Sequence, residues 1–148
     1  MKKALLVYNP NSGNSRTILE NFDKITSKFL KNNISLTLYS INKKYDHLVE
    51  VIKNHNFDIL ILSGGDGTLS KTITQLYNSG IEIPNTGIFP LGTSNDFARC
   101  LHLGDNIDDW IDTVITGNTQ NIDLGLINGQ TIFLPSYPGR LFTKPSYS

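Results

Sequence analysis

Four consecutive aliphatic residues, Ile59-Leu60-Ile61-Leu62, run directly into Ser63-Gly64-Gly65-Asp66-Gly67-Thr68-Leu69-Ser70. A short apolar run without alternation suits a strand covered on both faces of a parallel sheet. The segment beyond it places Leu69, Ile73, Leu76 and Tyr77 at helical spacing, and Gly80 follows as a natural stop. Strand, glycine turn and helix start therefore form one corner. Glycine lets the backbone take positive φ and lets a ligand approach the main chain. The N–H groups and positive dipole end of the following helix favour an anion, so this corner is a candidate phosphate site. Asp66 sits in the middle of it. A carboxylate beside a phosphate repels it unless a cation or proton lies between them, which points to Mg²⁺. The plainer alternative is a tight turn that uses Gly for geometry and Asp-Gly as ordinary turn residues.

The segments on either side repeat the same alternation. Lys3–Tyr8 reads as a buried strand ending in the turn cluster Asn9-Pro10-Asn11-Ser12-Gly13-Asn14. Ile18, Phe22, Ile25 and Phe29 predict one helix, closed by Asn32-Asn33, and Ile34–Tyr39 a second strand with Ser40 at its end. A helix over about Tyr45–Asn54 turns Leu48, Val51 and Ile52 inward, and Phe57–Leu62 is the third strand. Thr86–Leu91 is a fourth strand, running into Gly92-Thr93-Ser94-Asn95-Asp96, after which Phe97–Leu101 looks helical. Ile107, Trp110, Ile111 and Val114 mark an amphipathic helix ended by Gly117, with Trp110 as a core anchor. Thr119–Ile127 and Gln130–Leu134 read as strands joined by Asn128-Gly129, a strong hairpin signal. Pro135, Pro138 and Pro145 then break up the tail.

Strand–helix alternation over the first two-thirds argues for an α/β, doubly wound, mostly parallel sheet. Right-handed connections bring the C-terminal ends of such strands to one edge, where ligands bind at the reversal of strand order. Asn9–Gly13, Ser40, Gly64–Thr68 and Gly92–Asp96 all follow predicted strands, so four polar or glycine-rich loops converge on one cleft. Four unrelated turns would use similar residues, and that reading stays open beside it.

Composition narrows the function classes. The chain has 148 residues, enough for one domain with a core. Thirteen basic residues balance thirteen acidic ones, which argues against a nucleic-acid partner. Cys100 is the sole cysteine, so neither an intramolecular disulfide nor a cysteine zinc cluster is expected. His47, His55 and His102 are scattered and read as surface or boundary residues. Met1-Lys2-Lys3 and its short apolar run lack a signal peptide's longer core and cleavage site, and no stretch reaches the ~20 apolar residues of a membrane span. A reducing cytoplasm is the expected location.

Three motifs in this order, Asn9-Pro10-Asn11-Ser12-Gly13, Gly64-Gly65-Asp66-Gly67-Thr68 and Pro90-Leu91-Gly92-Thr93-Ser94-Asn95-Asp96-Phe97-Ala98-Arg99, resemble the diacylglycerol kinase catalytic-domain family. The likeness is greatest to bacterial soluble lipid kinases and reaches through Asn121-Ile122-Asp123-Leu124-Gly125. The glycine turn alone is shared with NAD kinases and phosphofructokinases; the other two motifs carry the specificity. The resemblance implies a Rossmann-like first domain of the NAD kinase/diacylglycerol kinase type over residues 1–127. It also implies transfer of the ATP γ-phosphate to a lipid hydroxyl such as that of diacylglycerol, with peripheral membrane contact.

It places ATP against Asn9, Pro10, Asn11, Ser12, Gly13, Ser40, Gly64, Gly65, Asp66, Gly67, Thr68, Leu69, Ser70, Thr93 and Asn95, and Mg²⁺ at Asp66, the one residue offered a catalytic part. Gly64, Gly65 and Gly67 would present N–H groups to phosphate. Thr68 would cap the helix or donate its hydroxyl, and Ser40, Thr93 and Asn95 would bond nucleotide polar atoms. Asp96 either orients the loop or caps the helix at Phe97, with capping the favoured role.

The sequence departs from the family in two ways. The second, β-rich lobe, which supplies the proposed general base and further metal ligands, is almost wholly missing, so residues 128–148 read as the stub of a truncated second domain. Pro135 also stands where an Asn is expected, and proline suits only a strand edge or end. Ile132, Phe133 and Leu134 would then sit on an exposed hairpin edge and drive self-association, as a homodimer or beyond. The competing functions are a non-catalytic nucleotide-binding remnant and an NAD or sugar kinase of the same architecture.

Overall fold

Strand β1 (Lys2–Tyr8) and strand β3 (Ile59–Gly64) lie side by side at the centre of the sheet, and their apolar runs explain why. Ala4, Leu5, Leu6, Leu60 and Ile61 are wholly inaccessible to water, as strands covered on both faces require. These elements belong to a computed structural model, which describes residues 1–11, 13–41, 46–93, 95, 98–99, 101–121 and 139–143. The remaining elements are α1 (Arg16–Glu20), α2 (Phe22–Lys31), β2 (Ile34–Ser40), α3 (Asp46–Asn54), α4 (Asp66–Ser79), β4 (Asn85–Pro90), α5 (Ile107–Thr116), β5 (Thr119–Gln120) and β6 (Leu141–Phe142).

The six strands are ordered β2-β1-β3-β4-β6-β5. All neighbours are parallel except β5 and β6, which run antiparallel. The chain moves from β1 outward to β2 and then back across to β3 and β4, so the strand order reverses between β1 and β3. Right-handed crossovers put the helices of those two directions on opposite faces. α3 and α4, the helices of the run from β2 to β4, lie against each other, and α2 lies against α5. The doubly wound, mostly parallel sheet expected from the sequence is the fold observed.

Several local readings need correction. The helix drawn through Ile18, Phe22, Ile25 and Phe29 is two helices broken at Asn21, whose φ is −113° and ψ 14°. The Asn21 backbone N–H keeps a helical bond to Thr17 O at 3.2 Å, while its side-chain amide donates to the same carbonyl at 2.9 Å, and such side-chain bonding competes with the helical ladder. Tyr77 is 38% exposed, so the buried face of α4 is Leu69, Thr72, Ile73 and Leu76. The helix at Ile107 is as expected: Ile107, Trp110, Ile111 and Val114 are buried and Gly117 ends it at φ 76°. Trp110 packs on Phe89 at 5.9 Å between ring centroids and donates its indole N–H to Gly104 O at 3.1 Å.

The proline-broken tail returns to the sheet. Leu141 and Phe142 are buried between β4 and β5, with Thr86 N–H donating to Arg140 O at 2.7 Å. Thr119–Gln120 pairs antiparallel with Leu141–Phe142, a pairing the sequence reading did not foresee. The Asn128-Gly129 turn, Ile132–Leu134 and Pro135 lie outside the described residues, as does the Asp96 cap.

Candidate functional site: the glycine corner at the strand reversal

Because β1 to β4 are parallel, the loops after them share one edge, and the register fixes how far each reaches. Ser40 pairs with Tyr8 on one side of β1, and Leu62 pairs with Val7 on the other. At ~4.8 Å between strands, Ser40 lies about 10 Å from the end of β3, so an elongated ligand can touch both. Ser40 is exposed there, and Tyr8 O accepts the Ile41 N–H at 2.7 Å beside it. Ser63, one residue before the glycines, is buried and donates its hydroxyl to Val7 O at 2.5 Å, tying β3 to β1 beneath the crevice.

The corner itself has a strict steric logic. Gly64 holds φ +143°, a region L-residues rarely enter, and a Cβ there would lie 3.0 Å from Thr68 Cβ and Cγ2. Thr68 therefore folds its side chain back over Gly64. Helix α4 begins at Asp66 with Gly65 at its N-cap and no side-chain cap bond, so the expectation that Thr68 caps the helix is corrected: Thr68 is already its third residue. The N-cap residue itself gives the first-turn N–H groups no side-chain acceptor. Asp66, half-buried, is the first helical residue. Leu69 faces the core and its N–H donates to Gly65 O at 2.9 Å; Ser70 is half-buried in the next turn.

The β4 loop comes to the same place. Leu91 N–H donates to Gly64 O at 2.9 Å, carrying the β3–β4 ladder one residue past Pro90. Beyond it the two loops touch glycine to glycine: a Cβ on Gly65 would stand 2.9 Å from Gly92 Cα. Sequence reading placed Gly92 in a loop of the cleft but gave it no role, because its requirement comes from a residue 27 positions away. Asn95 accepts the Gly92 N–H at Oδ1 (2.8 Å) and donates from Nδ2 to Gly92 O (2.7 Å), and Thr93 is exposed beside them.

After β1, Asn9 Oδ1 accepts the Asn11 N–H at 3.0 Å, and Ser15 donates to Pro10 O at 3.2 Å, so this loop is shaped by its own side chains. Asn11 and Gly13 are exposed, and Ser12 lies outside the described residues. A cleft of about 830 Å³ opens on the α5 side of the β4 loop, lined by Asn14, Thr93, Asn95, Arg99, His102 and Trp110 among others. It shares Gly92, Thr93 and Asn95 with the corner but not Gly64–Asp66. The glycine N-cap and the first turn of α4 lie at the corner, and the cleft is its neighbour.

The donor set fits a nucleotide with magnesium. Mg²⁺ is commonly held by one or two carboxylates together with substrate phosphates and water, and Asp66 supplies one carboxylate at the helix start. Among the described residues, no group of three or more His, Cys, Asp or Glu forms a metal cluster.

A description of the diacylglycerol kinase catalytic domain matches residues 3–127. The chain belongs to that family. It is 34% identical over 99% of its length to a diacylglycerol kinase of Staphylococcus saprophyticus, covering 48% of that protein. It is 32% identical to one of Staphylococcus aureus, covering 46%. A crystal structure assigned as a diacylglycerol kinase from Bacillus anthracis superposes with a TM-score of 0.67 at 26% identity, over 83% of this chain and 45% of the other. The family chain described here therefore spans about half the length of these relatives. No described helix is long and apolar enough to cross a membrane.

Proposed function

We propose that this chain binds ATP with Mg²⁺ across the β1/β3 reversal and serves as the nucleotide-binding half of a lipid kinase. The observation that carries the reading is the corner at Gly64–Asp66, a helix start with glycine at its N-cap pressed glycine to glycine against the β4 loop. The triphosphate would lie along the first turn of α4, and Asp66 would hold the magnesium ion that screens its charge. Ser40, about 10 Å away across two strands, meets the far end of the nucleotide. Residues 1–127 are the ATP-binding unit in this reading, and it works in the cytoplasm.

The reaction breaks the bond between the γ-phosphorus and its bridging oxygen and joins that phosphorus to a lipid hydroxyl, as in diacylglycerol. Such transfer depends on positioning and on neutralising oxygen charge more than on covalent chemistry, which suits this set of main-chain donors and one carboxylate. The hydroxyl proton goes to a base that the family resemblance places in the second lobe.

Calorimetry with ATP and magnesium, followed by labelled-phosphate transfer to dioleoylglycerol, tests both halves. Binding and transfer together support the kinase. Binding without transfer favours the nucleotide-binding reading alone, and absence of heat with ATP–Mg²⁺ removes the proposal.

A further inference from the structure

Asn95 has a backbone φ of 50°, in the left-handed region that Asn tolerates better than most residues. That turn brings its carboxamide flat against a single residue. Oδ1 takes the Gly92 N–H and Nδ2 gives to the Gly92 carbonyl, at 2.8 and 2.7 Å. Those two groups belong to the peptide planes on either side of the Gly92 Cα, so one side chain fixes both planes. The amide orientation is dictated, because an N–H can only meet the oxygen and a carbonyl only the NH₂.

What Gly92 is held against is the phosphate corner. A Cβ on Gly92 would lie 2.5 Å from Gly65 Cα and 3.0 Å from Asn95 Oδ1, so Gly92 is wedged between the two. Gly65 is the N-cap of α4, and its carbonyl accepts the helical bond from Leu69 at 2.9 Å. A shift of Gly92 must therefore move Gly65, and with it the direction of the first N–H groups of the helix.

We propose that Asn95 is a positioning residue for the phosphate corner: it clamps Gly92 against Gly65 and so aims the start of α4, without itself binding the nucleotide. The inference rests on the nucleotide reading above for its consequence, but the clamp can be tested on the free protein. It replaces the direct nucleotide contact that the sequence resemblance implied for Asn95.

The experiment uses the full chain, wild type and with Asn95→Gly, Asn95→Asp and Gly92→Ala. Asn95→Gly keeps the left-handed turn and removes both bonds. Asn95→Asp keeps an acceptor for the Gly92 N–H but sets an oxygen against the Gly92 carbonyl. Amide ¹H–¹⁵N spectra of the free protein should show the Gly65, Asp66 and Gly67 resonances displaced in Asn95→Gly, while the helix-end amides of Gly80 and Gly117 stay in place. Calorimetry with ATP–Mg²⁺ should show affinity down about tenfold, equivalent to about 1.4 kcal/mol. Asn95→Asp should recover part of that loss, and Gly92→Ala should exceed it.

Unmoved corner amides in a folded Asn95→Gly protein overturn the clamp. Weaker ATP binding with unmoved corner amides also overturns it, in favour of direct contact. Should wild type fail to bind ATP–Mg²⁺, the nucleotide reading falls by itself. The displaced or undisplaced Gly65 amide then still decides the clamp, and if Asn95→Gly does not fold the same amide is read in Asn95→Asp.

Discussion

Helix α5 starts at Asn106, whose side-chain oxygen takes the Asp109 N–H at 3.0 Å, and Asp108 and Asp109 occupy its first turn. Helix α4, on the opposite face of the same sheet, starts at Gly65, which has no side chain to offer. The first arrangement is what stability alone asks of a helix start: an acceptor for an orphan donor, and negative charge near the positive dipole end. In the second, Asp66 supplies charge in the first turn but the N-cap position offers no side-chain acceptor, and the space where a capping side chain would sit is taken by Gly92. One helix start is finished by its own sequence. The other leaves its N-cap position to a glycine, which suits the anion proposed above.

Substitutions can break or sharpen this contrast. The largest effect is expected from Gly65→Ala, since its Cβ would press on Gly92 Cα at 2.9 Å, a main-chain atom that cannot swing aside. ATP–Mg²⁺ affinity by calorimetry should fall about a hundredfold, with a lower melting temperature. Next is Asp66→Asn, which keeps the shape of the corner and removes the charge facing magnesium. Affinity for ATP–Mg²⁺ should drop about tenfold while affinity for ATP without magnesium holds or rises, read by titrations with and without chelator.

Asn106→Ala should act in the reverse sense. It should cost about 1 kcal/mol of stability in a urea melt and leave ATP–Mg²⁺ affinity unchanged. Equal loss of nucleotide binding in both helix-start variants would erase the distinction.

The smallest effect belongs to Asp108, which pairs with Lys28 at 2.9 Å and Lys24 at 3.6 Å across to α2. Its hydrogen bond with Lys28, against a smaller opposing effect of burial, holds its carboxyl below the ordinary 3.8. A group depressed in the folded state contributes stability that is present above its unfolded pKa and is lost as pH falls through the folded one. Asp108→Asn should flatten only the acid limb of the melting temperature against pH, below about pH 4. An unchanged acid limb would show the pair to be inert.

How legible these features were depends on how local they are. The β3 run, the glycine turn and the face of α5 with Ile107, Trp110, Ile111 and Val114 could be read directly, because each is decided within a dozen residues. The break at Asn21 was hidden because Phe22 and Ile25 keep helical spacing across it. The cap role offered for Thr68 could not be rejected from sequence, since Thr68 has the right chemistry for a cap and only the observed helix start excludes it. The Gly65–Gly92 contact and the return of Leu141–Phe142 are pairings between distant segments, and a two-residue strand has no periodicity to detect.

That returning strand has a consequence for synthesis. Leu141–Phe142 fills the slot between β4 and β5, both of which leave the ribosome earlier. Until residue 142 has emerged, the flank of β4 away from β3 has no strand beside it, and β5 has no neighbour to join it to the sheet.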